Sequence, residues 1–252
     1  MNGNQNGDYD ERYYRLLHKA KDLRYFHLKI KETDLAIGVD AMSYTDSLVS
    51  LCRKKVLSLR TELEDYITLY PEYQMSLVPL ETKPGAPEIA VRMAEAAAQA
   101  GVGPMAAVAG AFAQRVGEML LPKVKDIIVE NGGDIYLNSS EDRVIAVFAG
   151  ESCFSYKIGI WVRAGESPLG ICTSSGTVGP SFSFGKVDAA VIKARPAELA
   201  DAVATQTGNL VQDKNDLMKA INYAQNIKGV SGVLVIKDDK LAAWGDIEIL
   251  PI

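Results

Sequence analysis

From Asp126 to Thr173 the chain carries a succession of short runs rich in β-branched and aromatic residues: Asp126–Glu130, Ile135–Asn138, Val144–Phe148, Phe154–Arg163 and Gly170–Thr173. Turns of Gly, Asn and Ser separate them, and runs of this length joined by such turns read as hairpin-connected strands. Most of a sheet is therefore expected here. Two further runs, Arg24–Ile30 and Leu35–Val39, flank Lys31-Glu32-Thr33-Asp34 and predict another hairpin. Val187–Lys193 reads as one more strand, and Val230–Ile236 with Leu241–Ile249 as a closing hairpin.

Helical periods occupy the spaces between these runs. From Thr45 to Tyr66 the residues Leu48, Leu51, Cys52, Val56, Leu59, Leu63 and Tyr66 recur at steps of three and four, with Thr45 or Asp46 placed to cap the start. After a loop punctuated by Pro79, Pro84, Gly85 and Pro87, two alanine-rich helices are predicted over Glu88–Ala100 and Pro104–Leu121, broken at Gly101-Val102-Gly103. Their small side chains permit close approach to a neighbouring element or ligand. Pro196–Leu210 and Asp213–Asn226 read as two more helices. Hairpins mixed with long helices predict an α+β fold, a mixed, hairpin-rich sheet with packed helices, and argue against a doubly wound parallel sheet.

A length of 252 residues with 48% hydrophobic and 23% charged content suits one domain, expected over 11–252 behind a disordered tail at 1–10 that leads into a charged helix. The net charge of -5 repels phosphate surfaces on average, so neither nucleic acid nor anionic membrane is an expected partner. The first residues lack a basic-then-apolar signal pattern, which predicts a cytoplasmic location. The most apolar stretch, Gly101 to Ala113, is too short to span a bilayer, so no transmembrane helix is expected. Cys52, Cys153 and Cys172 are odd in number and without metal-type spacing, which predicts reduced, buried thiols.

Chemistry-bearing residues fall into three segments. Asn131-Gly132-Gly133-Asp134 breaks one strand and opens the next. It reads as a tight hairpin turn, or as a turn whose glycines admit a flat or phosphorylated ligand that Asn131 and Asp134 then bond. Thr173-Ser174-Ser175-Gly176, with Thr177 and Ser181-Phe182-Ser183-Phe184-Gly185-Lys186 beyond it, reads as an anion cradle at a strand end or as a solvated serine-rich loop. Asp201 and Thr205 stand four residues apart on one helix face, where their oxygens can meet one Mg²⁺ or simply form a polar surface pair.

Other patterns fail on context. Gly101-x-Gly103-x-x-Ala106 follows a helix and lacks a βαβ unit, so it is no dinucleotide fingerprint. Gly179 to Lys186 has the wrong spacing for a P-loop, and Ser183-x-x-Lys186 lacks companion motifs. His18 and His27 are the only histidines and neither has metal-type neighbours.

The three segments occur in the order Asn131-Gly132-Gly133-Asp134, Thr173-Ser174-Ser175-Gly176, Ala200-Asp201-Ala202-x-x-Thr205, and in that order the chain resembles the ApbE-like family, whose characterised members are FAD:protein FMN transferases. The resemblance runs from about Pro104 to Leu210 and is closer to an uncharacterised branch, which Lys31-Glu32-Thr33-Asp34-Leu35 also resembles. It implies an ApbE-like α+β fold and a flavin nucleotide, FAD, as the small-molecule ligand. It further implies Mg²⁺ on Asp201 and Thr205, and a pocket lined by Asn131, Gly132, Gly133, Asp134, Thr173, Ser174, Ser175 and Gly176. The implied reaction is FMN transfer to an acceptor protein's threonine, or FAD hydrolysis.

Two departures stand beside this. Val108-Ala109-Gly110-Ala111-Phe112 lies where the transferases carry Gly-Gly-x-x-Lys-Gly, and Phe184-Gly185-Lys186-Val187-Asp188 lies where they carry His-x-x-x-Pro-x-Thr-Gly. A non-catalytic module binding a ligand or partner on the same scaffold is therefore the alternative expectation, and no catalytic residue is assigned.

Overall fold

A computed structural model describes residues 20, 22–176 and 184–252. The tail at 1–10, the charged helix after it, His18, Thr177 and Ser181-Phe182-Ser183 lie outside the described residues.

The strand-rich reading holds, with a division the sequence does not announce. Strands β1 (Leu23–Ile30), β2 (Thr33–Asp40), β3 (Ile127–Asn131), β4 (Asp134–Asn138), β7 (Leu169–Ser174), β8 (Ala189–Ala194), β9 (Val230–Lys237) and β10 (Lys240–Gly245) form one eight-stranded sheet in that order. Every neighbouring pair is antiparallel. Strands β5 (Arg143–Ala146) and β6 (Ile158–Val162) leave it and join β11 (Glu248–Pro251) in a second, three-stranded sheet.

Alternation along each strand makes two cores from one sheet. Leu35, Ile37, Val39, Ile127, Val129, Tyr136, Cys172, Ile192, Val233 and Val235 face the helices. Ile128, Ile135, Leu137, Ile171, Val191, Leu234 and Ile236 face the small sheet, where Ile145, Val147, Ile160 and Val162 meet them. The molecule is thus a helix layer, a large sheet and a small sheet. The closing hairpin expected over Leu241–Ile249 ends at Gly245, whose φ of 80° sits where an added Cβ would lie 2.2 Å from the Ser231 carbonyl oxygen. That bend carries the last strand from one sheet to the other.

The helix layer follows the expected periods. Helix α1 (Asp46–Leu69) is capped by Thr45, whose side chain accepts from the Leu48 N–H at 3.1 Å, and buries Leu48, Cys52, Val56, Leu59, Leu63 and Tyr66. After the short α2 (Glu72–Met75), α3 (Glu88–Ala100) ends on left-handed Gly101, and a 3₁₀ turn (Pro104–Ala107) leads into α4 (Val108–Leu120). Helices α5 (Ala197–Asn209) and α6 (Leu217–Ala224) complete the layer. Among the described residues no single helix is long and apolar enough to cross a membrane, and the apolar α3–α4 pair is bent by 102° and packs into the core. One expectation fails. Cys153 is exposed in the β5–β6 connection, whereas Cys52 and Cys172 are buried.

Tyr136 marks where α4 meets the large sheet: an added Cβ at Gly117 would come within 2.1 Å of its ring. Its hydroxyl is buried with no hydrogen-bond partner among the described residues, and burial, aided by nearby Glu118, pushes the phenol up to about 12. A buried unbonded hydroxyl forfeits its hydration without return. Tyr136→Phe is therefore expected to raise stability by about 1 kcal/mol in urea titration, and a loss of similar size would show that the hydroxyl is bonded.

Candidate functional site

The helix layer and the large sheet meet over a small group of acidic residues. Helix α4 begins at Val108, and Ala107 before it offers no side-chain cap, which leaves the first N–H groups in need of acceptors. Asp201 supplies them from α5. Its Oδ2 accepts from Gly110 N–H at 2.8 Å, and Ala109 N–H also points to the carboxyl. The exchange is mutual: Gln114 on α4 accepts the Ala197 N–H at 2.8 Å and so caps the start of α5. The two helices can approach this closely because residue 110 is glycine; a Cβ there would lie 2.5 Å from the Ala197 carbonyl oxygen and 2.8 Å from Asp201 Cβ.

Glycines set the opposite wall as well. Gly132 and Gly133 have φ values of 66° and 106° and join β3 to β4 in a two-residue hairpin turn, with Asn131 directly across from Asp134. Asn131 Nδ2 donates to the Ala109 carbonyl oxygen at 3.1 Å, tying the turn to the start of α4. Gly133 N–H donates to Glu130 Oε1 at 3.1 Å. Asp134 points inward and is buried; it accepts from Thr173 N–H on β7 and stands beside the Cys172 thiol. That thiol lies 3.4 Å from the Ala197 carbonyl oxygen.

Asp134 and Asp201 thus reach one buried place from different elements. Burial drives the Asp134 carboxyl well above the ordinary aspartate range, the Asp201 charge pushes it further, and the Cys172 and Thr173 hydrogen bonds pull it back. Burial likewise raises Asp201 to about 7; the Gly110 and Ala109 amides oppose the rise and Glu198 adds to it. The Cys172 thiol is raised by burial and by both carboxylates, which keeps it a neutral donor. Oδ1 of Asp134 has no hydrogen-bond partner among the described residues. Two like charges in one low-dielectric site hold protons together as a pair until something positive replaces them.

The remaining expected residues divide. Thr173 and Gly133 adjoin Asp134, since a Cβ on Gly133 would stand 4.0 Å from the Thr173 carbonyl oxygen. Ser174 lies against α5, its Oγ 3.5 Å from where a Cβ on Gly208 would be. Thr205 is half-buried one turn beyond Asp201 on the same helix. Gly132 is exposed at the tip of its turn. Ser175 Oγ and the Gly176 N–H both point to the Val187 carbonyl oxygen, which ties these two to the segment after the loop.

Sequence reasoning missed the residues that fix α5. Arg92 on α3 donates through Nε to Glu198 Oε1 at 2.6 Å and through both terminal nitrogens to Glu118 at 3.1 Å. Gln114 Nε2 donates to Glu118 Oε1 at 2.9 Å. The usable signal was Gly110: glycine inside an alanine-rich helix is unfavourable unless something must come close.

The family model described as AbpE bacteria matches residues 15–235. A UPF0280 protein from Methanocella arvoryzae is 39% identical over 218 residues, covering 86% of each chain. Another from Archaeoglobus fulgidus is 39% identical over 233 residues, covering 90% of this chain and 94% of its own. Among solved structures, the flavinyl transferase ApbE of Pseudomonas stutzeri, apo form, superposes with a TM-score of 0.52 at 13% identity over 88% of this chain and 94% of that one. The flavin transferase ApbE of Vibrio cholerae gives 0.51 at 14% identity over 89% and 97%. At these identities the likeness is one of fold.

Proposed function

The chain belongs to the AbpE bacteria family, and on that premise we propose that it binds a flavin nucleotide, FAD, together with Mg²⁺, between the Asn131–Asp134 turn, the end of β7 and helix α5. The observation that carries the reading is the convergence of Asp134 and Asp201, with Asp134 Oδ1 buried and unbonded among the described residues. The donors suit a hard cation, being carboxylate oxygens with the Thr205 hydroxyl one turn away. Asp201 and Thr205 would hold the ion, with Asp134 adding negative charge beside it.

Bound there, Mg²⁺ would neutralise charge on a pyrophosphate. The chain's own contributions are positional. Gly132 and Gly133 leave the turn bare for a flat ring, Asn131 offers a side-chain amide at its edge, and Thr173 and Ser174 place hydroxyls at the end of β7. With those groups aligned, FMN transfer from FAD to an acceptor protein's hydroxyl, or hydrolysis of FAD, is the reaction class this reading supports. A cytoplasmic setting fits three unpaired cysteines.

A second reading has its own support. Val108–Phe112 brings no lysine to the start of α4, and Phe184–Asp188 brings no histidine. A module that binds the nucleotide without turning it over needs neither. Titration with FAD, with and without Mg²⁺, tests the shared premise. Saturable binding that tightens by about tenfold or more with Mg²⁺, and loses that increment in Thr205→Val, is the expected result. Binding indifferent to Mg²⁺ removes the cation from the site, and no binding removes the flavin. Release of AMP from FAD separates the enzyme from the module.

A further inference from the structure

The eight-stranded sheet has two edges, and they are protected unequally. On β1 the exposed positions are Arg24, His27 and Lys29, basic and imidazole side chains of the kind that discourage further pairing. On β10 five of six residues are exposed and the sequence is Lys240-Leu241-Ala242-Ala243-Trp244-Gly245. Four consecutive apolar residues there have only β9 as a strand neighbour among the described residues, and no proline or inward-pointing charge blunts them.

The register of the β9–β10 hairpin fixes how this edge is presented. Lys240 is opposite Lys237, Ala242 opposite Val235 and Trp244 opposite Val233, across the two-residue turn Asp238-Asp239. In such a hairpin the residues flanking the turn exchange hydrogen bonds and so does every second pair beyond them. Lys240, Ala242 and Trp244 therefore spend their backbone groups on β9, as does Asp246, whose N–H donates to the Ser231 carbonyl oxygen at 2.7 Å. Leu241 and Ala243 aim theirs outward.

We propose that two copies of this chain associate through β10, antiparallel and about a two-fold axis at Ala242, joining their large sheets into one. Opposite residues on such an axis must lie on the same face of the joined sheet, and this register satisfies that. Leu241 meets the partner's Ala243, with both outward-facing backbones paired, and Ala242 meets the partner's Ala242. Lys240 falls opposite the partner's Trp244. The ammonium then lies on the indole face, a favourable pairing of a cation with an electron-rich ring, and the symmetry makes it twice. Lys240 is the only charged residue in the strand, so a chain with net charge -5 meets its copy here without like charges in the paired run. The joint covers Trp244 and Leu241, each 37% exposed, beside helix α6, whose Met218 is 58% exposed.

Velocity sedimentation of the full chain tests this together with a register-specific cross-link. The expected species at about 100 μM has twice the 27.3 kDa chain mass. Ala243→Pro removes an outward N–H that β9 does not use and is expected to weaken association by more than about tenfold with the fold intact. Should that variant fail to fold, Leu241→Lys serves the same purpose from the same edge. Ala242→Cys, in a Cys153→Ser background, puts two thiols across a pair without mutual hydrogen bonds, where the Cα atoms are about 4.5 Å apart, and is expected to give a reducible covalent dimer. A monomer at every concentration overturns the proposal, as does a dimer indifferent to Ala243→Pro and Leu241→Lys or one that Ala242→Cys does not cross-link.

Discussion

In EDTA the protein is expected to lose thermal stability as the pH rises from about 5 to 8, by more than about 5 °C, to regain it at pH 8 on adding millimolar Mg²⁺, and in Asp134→Asn to lose the Mg²⁺ rescue and a large part of the slope. The direction follows from the two raised carboxyls. At the acid end folded and unfolded chains both hold these protons, so the pair makes no difference. Through the ordinary aspartate range the unfolded chain gives them up while burial keeps them on Asp134 and Asp201. The folded state then binds more protons than the unfolded one, and stability falls with pH until Asp201 has titrated near 7 and Asp134 above its ordinary range. A cation that binds the ionised pair reverses this by mass action.

Asparagine at 134 keeps the shape and removes one of the two raised carboxyls, so its share of the pH slope goes, while Asp201, raised by its own burial, keeps the rest. The same change removes negative charge from the cation's place, so Mg²⁺ no longer raises the melting temperature. Melting curves of the two proteins across pH, with EDTA and with Mg²⁺, check both statements. A wild-type melting temperature that is level from pH 5 to 8 would show that the two carboxyls do not share a dry site. A slope without Mg²⁺ rescue would keep the pair but refuse it the cation.

Much of this molecule can be read from periodicity, and the departures have physical causes. The α1 stripe, the Thr45 cap and the two-residue turn at Gly132-Gly133 are local, and local chemistry determines them. Partition of the strands between two sheets is not local. Nothing within Val144–Phe148 or Phe154–Arg163 says that β5 and β6 leave the large sheet or that β6 pairs with a strand at the far end of the chain, and Pro251↔Ile158 is a contact that only the folded topology creates. The exposure of Cys153 has the same origin, because in the β5–β6 connection Val147, Ala149 and Phe154 turn to the core between the sheets while Cys153 faces outward.

The site shows the same divide. Spacing alone puts Asp201 and Thr205 on one helix face, and Asn-Gly-Gly-Asp announces a turn. That Asp201 would cap α4 and stand against Asp134 required knowing how α4, α5 and β4 pack. Small residues were the legible trace of that packing, since Gly110, Gly117 and Gly170 each occupy a point where a Cβ would strike a neighbour.

Gly170 is where this packing bears hardest on function. A Cβ at 170 would lie 2.4 Å from Ala197 Cα, 2.7 Å from Ala197 Cβ and 3.2 Å from its backbone nitrogen. No rotamer change relieves a clash with backbone, so Gly170→Val must push the start of α5 off β7 by about 1 Å to restore ordinary contact. Ala197 N–H would be drawn from Gln114, and Asp201, one turn along, from the Gly110 amide. The expected loss is about 3 kcal/mol, or roughly 6–12 °C in melting temperature, together with the Mg²⁺-dependent part of FAD binding. Gly132→Ala is the control: residue 132 is equally a glycine of the site, but a Cβ there meets nothing within 4 Å, and its φ of 66° alone costs about 1 kcal/mol. Ala197→Gly added to Gly170→Val removes the Cβ contact and leaves the one to Cα, so it should restore only part of the stability. Full rescue would place the strain in the Ala197 methyl and not in the approach of α5, and an unchanged Mg²⁺ increment in Gly170→Val would separate the position of α5 from the cation site.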